Sequence, residues 1–168
     1  MSFLQNLLKA LQDNVTRLEH EVEQHHLGTP QIWDAGASSA FDNPEHLIPW
    51  TAFEAIEKIR VDLRALEAAV TPSHVKLLEL GLRPARTSAL NVAVSLGITD
   101  AIEELGGSAS LDKLAERLSV NEHKLGRVIR TLATDFIYQE TSPDMFKNTK
   151  HSKNLNKSGS SARFLSLL

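Results

Sequence analysis

The stretch from Ser110 to Leu155 constrains the fold more than any other part of the chain. Ser110 is a good N-cap, and the apolar residues after it recur at spacings of three and four, which predicts a short amphipathic helix. Ser119 and Val120 form a turn, and Asn121 caps a second helix. The apolar stripe of that second helix consists of Leu125, Val128, Ile129 and Leu132. Two helices joined by so tight a turn indicate a helix-turn-helix.

The residues after the second helix favour β-structure. Phe136, Ile137 and Tyr138 are β-favouring, the run Thr141 to Asp144 is a turn cluster, and Met145-Phe146 begins a returning strand. A helix-turn-helix followed by a two-stranded hairpin is a winged helix. Such a unit either grips nucleic acid or, without a basic surface, serves as a dimerisation module on an enzyme.

An apolar helix precedes the winged helix, from Ala89 to Leu105, and both regions carry residues of a known family. The matching residues are Leu96-Gly97-Ile98, the run Ser110 to Ala115, Leu125, Arg130, Leu132, Phe136-Ile137, Phe146, Asn148-Thr149, Ser152 and Leu155. With them the chain resembles the N-terminal domain of plant and fungal S-adenosylmethionine-dependent O-methyltransferases. The resemblance covers about Leu47 to Leu168 and is weaker before Pro72.

The resemblance implies a domain that dimerises and lends apolar residues to a substrate pocket. In the family, S-adenosylmethionine and the catalytic residues belong to a following α/β domain, for which the chain has no room after Ser158. We therefore assign no catalytic, cofactor-binding or metal-binding residue, and we expect this chain alone to be inactive. The expected partners are a second copy of the chain and either a methyltransferase catalytic domain or a small hydrophobic substrate.

Composition agrees with an ordinary globular protein. The 168 residues are 42% hydrophobic, carry a formal charge of −3 and include no cysteine, which excludes a disulfide framework and a thiol nucleophile. Polar residues interrupt the N-terminus, so it is not a secretory signal, and no segment approaches the roughly 20 apolar residues of a membrane span. We expect a cytoplasmic protein of mainly α fold, with long N-terminal helices before the winged helix.

Residues 1–26 are predicted to form one amphipathic helix with a heptad seam. The seam consists of Leu4, Leu8, Leu11, Val15, Leu18 and Val22. It packs either on the chain's own surface or against a partner chain, and the sequence leaves both open. Residues 27–49 form an irregular linker or arm with large apolar residues that we expect to be buried, by the resemblance on a partner subunit. These residues are Ile32, Trp33, Phe41, Leu47, Ile48 and, just after the arm, Trp50.

Residues 50–158 are predicted to form the helical and winged-helix dimerisation domain, and residues 159–168 the start of a truncated following segment. Ala85 to Leu96 is apolar around most of its circumference, so this helix should be buried on several sides. In the resembling family it lies at the centre of the dimer. We therefore predict a dimer interface that contains Leu90, Val92, Ala93, Val94 and Leu96.

Three other features suggest chemistry only weakly. The run Leu77 to Leu82 has one glycine inside a helical pattern, not the glycine-rich loop of a cofactor site. His20, His25 and His26 lack the spacing of ligands on one helical face. Lys124, Arg127 and Arg130 could face phosphates, but the net charge of −3 disfavours nucleic acid.

Two alternatives to the methyltransferase dimerisation domain stay open. One is a stand-alone methyltransferase-like accessory protein that binds a partner protein or a hydrophobic metabolite. The other is a winged-helix regulator that binds DNA.

Overall fold

The computed structural model of the protein describes residues 2–33, 39–43 and 45–156. The chain divides into two compact units, one of residues 1–30 with 38–81 and the other of residues 31–37 with 82–168. The predicted segment at 159–168 lies outside the described residues. Among the helices that the structure does describe, none is both long and apolar enough to cross a membrane.

The first unit is a set of helices in which α1 (Phe3–Gln24) packs on α2 (Trp50–Val70). Ser2 and Gln5 form a reciprocal capping box at the start of α1, so the helix begins where two of its free amides are satisfied. Ala52 and Ala55 of α2 are completely buried, and such small side chains allow close helix approach. One continuous helix thus occupies residues 3–24 of the predicted N-terminal segment.

Polar pairs also join these two helices. The Asn14 amide donates to the Asp62 carboxylate at 2.8 Å, and Arg17 donates to Glu54 at 3.0 Å. A short 3-10 helix (Ala40–Asp42) lies in the predicted irregular arm. After the break at Thr71-Pro72, α3 (Ser73–Gly81) completes the unit.

The second unit is the winged helix with its upstream helices, α4 (Arg83–Leu96) and α5 (Ile98–Glu104). The helix-turn-helix is α6 (Leu111–Leu118) and α7 (Glu122–Ala133), and α8 (Lys150–Lys153) closes the described part. The sheet has strands β1 (Ser108–Ser110), β2 (Tyr138–Ser142) and β3 (Met145–Asn148), antiparallel in the order β1-β3-β2. The mainly α fold with a winged helix is confirmed.

The core of this unit lies where α5, α6 and α7 meet the sheet. Its largest fully buried side chains are those of Tyr138, Phe146, Ile98, Ile102, Leu114, Leu125 and Ile129. The predicted N-caps differ in kind. The Asn121 side chain accepts from the Lys124 amide at 3.1 Å, whereas Ser110 occupies the N-cap position of α6 without a capping hydrogen bond from its side chain.

The structure corrects the sequence prediction at three places. The stretch Ala89 to Leu105 is two helices, because Gly97 adopts a left-handed conformation (φ 71°) that ends α4. The hairpin is part of a three-stranded sheet, since β1 pairs with β3. Phe136 is not in a strand: it has a φ of 59° in the turn that precedes β2, which starts at Tyr138.

Candidate functional site

Only some of the apolar side chains of helix α4 are buried inside its own unit. Ala89 and Ala93 are buried in the core, and Leu90 and Leu96 pack partly against it. Val92 remains 40% exposed. Within one chain α4 is therefore buried only in part, and its expected burial on several sides stays a prediction. The assignment of the five α4 residues to a dimer interface stays a prediction.

The heptad seam of α1 is divided in the same way. Leu4, Leu8 and Val15 are exposed, while Leu11, Leu18 and Val22 are half-buried. Because α1 packs on α2, part of the seam contributes to the chain's own core. The exposed part leaves both sequence interpretations open.

The apolar side chains of the arm are only partly covered. Leu47 is 94% exposed and Trp50 is 73% exposed, so the chain itself does not bury these two side chains. Trp33 contacts the Phe136 ring edge-on, with ring centroids 5.7 Å apart. The burial of these groups on a partner subunit stays a prediction.

A groove runs between α4 and α7 and has a volume of about 510 Å³. Its lining is mostly apolar, with two hydroxyl groups and two cations. The lining residues are Ala85, Ser88, Ala89, Val92, Lys124, Arg127, Val128 and Thr131. We call this feature the α4–α7 groove.

Arg130, the third cation of α7, belongs to an ion-pair cluster. Its guanidinium contacts Glu140 at 2.8 Å and Asp144 at 2.5 Å, and it lies 5.6 Å from the centre of the Phe146 ring. The hydrogen bond from Arg130 lowers the pKa of the Glu140 carboxyl, which keeps the pair ionised. Arg130 thus fastens the hairpin to α7, and a phosphate would have to compete with two carboxylates for it.

A buried polar network lies behind the hairpin. Tyr138 and Thr99 share a hydrogen bond of 3.0 Å between their hydroxyl groups, and the Thr99 hydroxyl also donates to the Ser152 carbonyl at 3.2 Å. A threonine has one hydroxyl proton, so the Tyr138 hydroxyl must be the donor to Thr99. Burial is the main reason that the pKa of Tyr138 rises to about 12.

Asn148 and Thr149 connect β3 to its neighbours through further buried hydrogen bonds. The Asn148 amide donates to the Thr99 carbonyl at 3.1 Å and to the Glu103 carboxylate at 2.8 Å. The Thr149 hydroxyl lies 2.9 Å from both the Phe136 and the Ile137 carbonyl oxygens, and it also caps α8. Several residues that carried the family resemblance therefore hold α5, the turn before β2 and α8 against the sheet.

The structure gives no support for a metal site at the histidines or a cofactor loop at residues 77–82. The described residues contain no group of three or more His, Asp or Glu side chains that could hold a metal ion. His20, His25 and His26 are exposed, and His25 lies 3.6 Å from Glu21. Residues 77–81 are helical, so this stretch does not supply a loop for close approach to a cofactor.

Comparison with known proteins confirms the resemblance. Residues 79–158 match the family described as the O-methyltransferase dimerisation domain. The 4-O-methyltransferase 1 of Phanerochaete chrysosporium is 30% identical over 150 residues, which cover 88% of this chain and 31% of that protein. Sterigmatocystin 8-O-methyltransferase of Aspergillus flavus is 33% identical over 83 residues, which cover 49% of this chain and 20% of that protein.

A solved structure gives the same fold. The crystal structure of OxaC matches 88% of this chain and 32% of its own length, with a TM-score of 0.54. Its sequence identity of 14% makes this a likeness of fold alone. This chain thus spans less than a third of the length of both fungal methyltransferases and of OxaC.

Proposed function

We propose that this chain, whose residues 79–158 are an O-methyltransferase dimerisation domain, pairs with a second copy through α4 and the exposed part of the α1 seam. The observation that carries the proposal is the exposed Val92 on a helix of that domain. Apolar surface of this kind gains free energy when a partner removes it from water, by about 25 cal/mol per Å². The predicted interface of Leu90, Val92, Ala93, Val94 and Leu96 extends along the same helix.

The oligomeric state in solution tests this proposal. Light scattering at micromolar concentration should give a homodimer or a larger oligomer, and a stable monomer would contradict it. Val92→Asp should dissociate the assembly, because an unpaired carboxylate is costly to bury in an apolar interface. His123→Asp introduces the same charge at an exposed position of α7 and should leave the assembly intact.

We further propose that the whole protein is an S-adenosylmethionine-dependent O-methyltransferase of secondary metabolism, located in the cytoplasm. The names of the fungal relatives support the activity and the metabolic class. In this proposal the chain supplies dimerisation and one apolar wall of a substrate pocket, while a catalytic domain supplies the cofactor site. Calorimetric titration of this chain with S-adenosylmethionine should show no heat of binding, and saturable binding with micromolar affinity would contradict this division of roles.

A further inference from the structure

Phe136 is an aromatic residue at a position that favours glycine. It lies in the turn that ends α7, where the Ile137 amide donates to the Leu132 carbonyl at 3.0 Å and the Phe136 amide donates to the Ala133 carbonyl at 3.1 Å. In a helix end of this kind the residue at the place of Phe136 is left-handed, and it is usually glycine because a Cβ atom strains this conformation. The φ of 59° at Phe136 thus costs free energy that a glycine would not cost.

The Phe136 side chain contacts the arm and lies outside the hydrophobic core of the winged helix. Its ring meets the Trp33 ring edge-on, with centroids 5.7 Å apart and planes at 61°, which is one of the preferred arrangements of aromatic pairs. Beside this pair the Lys150 amide donates to the Ile32 carbonyl at 3.1 Å. A ring contact and a backbone hydrogen bond therefore hold two consecutive residues of the arm on the winged helix. We call residues 31–33 the strap.

The strap is separate in sequence from the rest of its unit. Residues 31–37 belong to the second unit, whereas residues 1–30 and 38–81, on either side of them, belong to the first. Without the docked strap and the residues that follow it, the second unit would be the continuous stretch 82–168. The second unit therefore takes up a short piece of the arm through contacts far apart in the chain.

We propose that the Phe136 ring is the docking site for the strap of the same chain, and that this contact offsets the strain at residue 136. The Thr149 hydroxyl lies 2.9 Å from the Phe136 and Ile137 carbonyl oxygens, so it holds the backbone of this turn whichever side chain the turn carries. Docking thus depends on the side chain and strain on the backbone, and mutation can separate them. The interface proposed above, on α4 and α1, involves neither ring, so this inference does not depend on the proposed function.

Fluorine NMR of the full chain, labelled with fluorotryptophan, reports on docking directly. Trp50→Phe leaves Trp33 as the only tryptophan, and the ring current of Phe136 should displace its signal. Phe136→Gly and Phe136→Leu should move that signal toward the position it has in urea. Phe3→Leu on α1 removes another exposed phenylalanine and should leave the signal unchanged. A Trp33 signal that does not respond to Phe136→Gly overturns the proposal.

Hydrogen exchange provides a readout at the other contact of the strap. Trp33→Ala should speed exchange of the Lys150 amide by up to about tenfold, the factor that an aromatic pair of this geometry contributes. The Leu111 amide donates to the Asp144 carbonyl at 2.8 Å in the same unit and should exchange as before. Unchanged exchange at Lys150, or equal acceleration at both amides, overturns the proposal.

A pair of backgrounds separates the strain from the contact. In the Trp33→Ala background, Phe136→Gly should raise the folding equilibrium constant of the second unit about threefold, because strain disappears and no ring contact is lost. In the unsubstituted background the same change should raise it less or lower it. Urea unfolding followed by circular dichroism at one protein concentration measures both. Equal effects in the two backgrounds overturn the proposal.

Mixed assemblies decide whether the strap docks on its own chain. The labelled Trp50→Phe chain is refolded with an excess of unlabelled Phe136→Gly chain. Docking within the chain leaves the Trp33 signal at its docked position. Docking on a second copy moves the signal to the released position, which overturns the proposal. A monomeric chain that keeps the docked signal supports it and contradicts only the proposed function.

Discussion

Removing either partner of the hydrogen bond between Tyr138 and Thr99 should destabilise the fold, but by different amounts. Tyr138→Phe removes a donor, and the Thr99 hydroxyl keeps its own bond to the Ser152 carbonyl. The loss is then that of one ordinary buried hydrogen bond, about 1 kcal/mol. Thr99→Val leaves the buried Tyr138 hydroxyl without its acceptor, whereas the Ser152 carbonyl still accepts from the Leu155 amide at 2.8 Å. An orphaned buried group costs about 1–3 kcal/mol, so Thr99→Val should be the more destabilising change.

The double variant tests the reasoning more sharply than either single one. In the Thr99→Val background the Tyr138 hydroxyl is already unsatisfied, so Tyr138→Phe removes a penalty and should cost nothing or restore stability. The expected coupling energy is about 1–2 kcal/mol, well above the error of roughly 0.5 kcal/mol within which independent sites add. A coupling this large identifies a direct interaction.

The assay must report on the second unit alone. The chain has two tryptophans, and Trp50→Phe leaves Trp33, which contacts Phe136 in that unit. Urea unfolding is followed by the fluorescence of Trp33 at one fixed protein concentration, since assembly changes apparent stability. A Tyr138→Phe effect larger than that of Thr99→Val, or effects that add, would refute the assignment of donor and acceptor.

Two further predictions concern the same unit. Gly126→Ala should destabilise this unit by about 1 kcal/mol in a thermal unfolding experiment. The added Cβ would lie 2.9 Å from Leu111 Cδ2, and the cost of this overpacking exceeds the gain in helix propensity. Gly81→Ala is the control and should not destabilise the protein, because nothing lies within 4 Å of the Cβ added there. Tyr138 is the only tyrosine, and its pKa of about 12 exceeds the ordinary value of 10. The neutral hydroxyl therefore contributes its full stabilisation below pH 10, and this contribution is lost as the pH rises toward 12. Ultraviolet titration should therefore show no tyrosinate near pH 10, and a normal titration there would contradict the buried network.

The winged helix could be predicted because its signals are local. A cap at Asn121, an apolar stripe at spacings of three and four, and a turn cluster before Met145 each act within a few residues. Strand β1 has no such signal. Its three residues, Ser-Ala-Ser, become a strand only through pairing with β3, far along the chain. The conformation of Phe136 was missed for a related reason, since an aromatic residue usually favours a strand and here it ends a turn with a positive φ.

For the candidate site, too, the sequence predicts the local features and not those that depend on tertiary contacts. The sequence shows that α4 is apolar, but it cannot show that its own unit takes up Ala89 and Ala93 and leaves Val92 exposed. In the sequence the three cations on α7 are also equivalent. Only the fold brings Glu140 and Asp144 to Arg130 and leaves Lys124 and Arg127 beside the groove. Which charges are neutralised depends on tertiary contacts, so the sequence alone could not distinguish Arg130 from the other two cations.

The residues that carried the family resemblance at the end of the winged helix owe their identity to hydrogen bonding. Asn148, Thr149 and Ser152 are almost completely buried, and each satisfies backbone groups that an apolar residue would leave unpaired. Thr149, for example, accepts from the amide of His151 in the first turn of α8 while its hydroxyl contacts two carbonyl oxygens of the turn before β2. These positions therefore specify how the hairpin, α5 and α8 fit together. They identify the fold strongly and carry no information about methyl transfer, which is why the resemblance led to the dimerisation domain and to no catalytic residue.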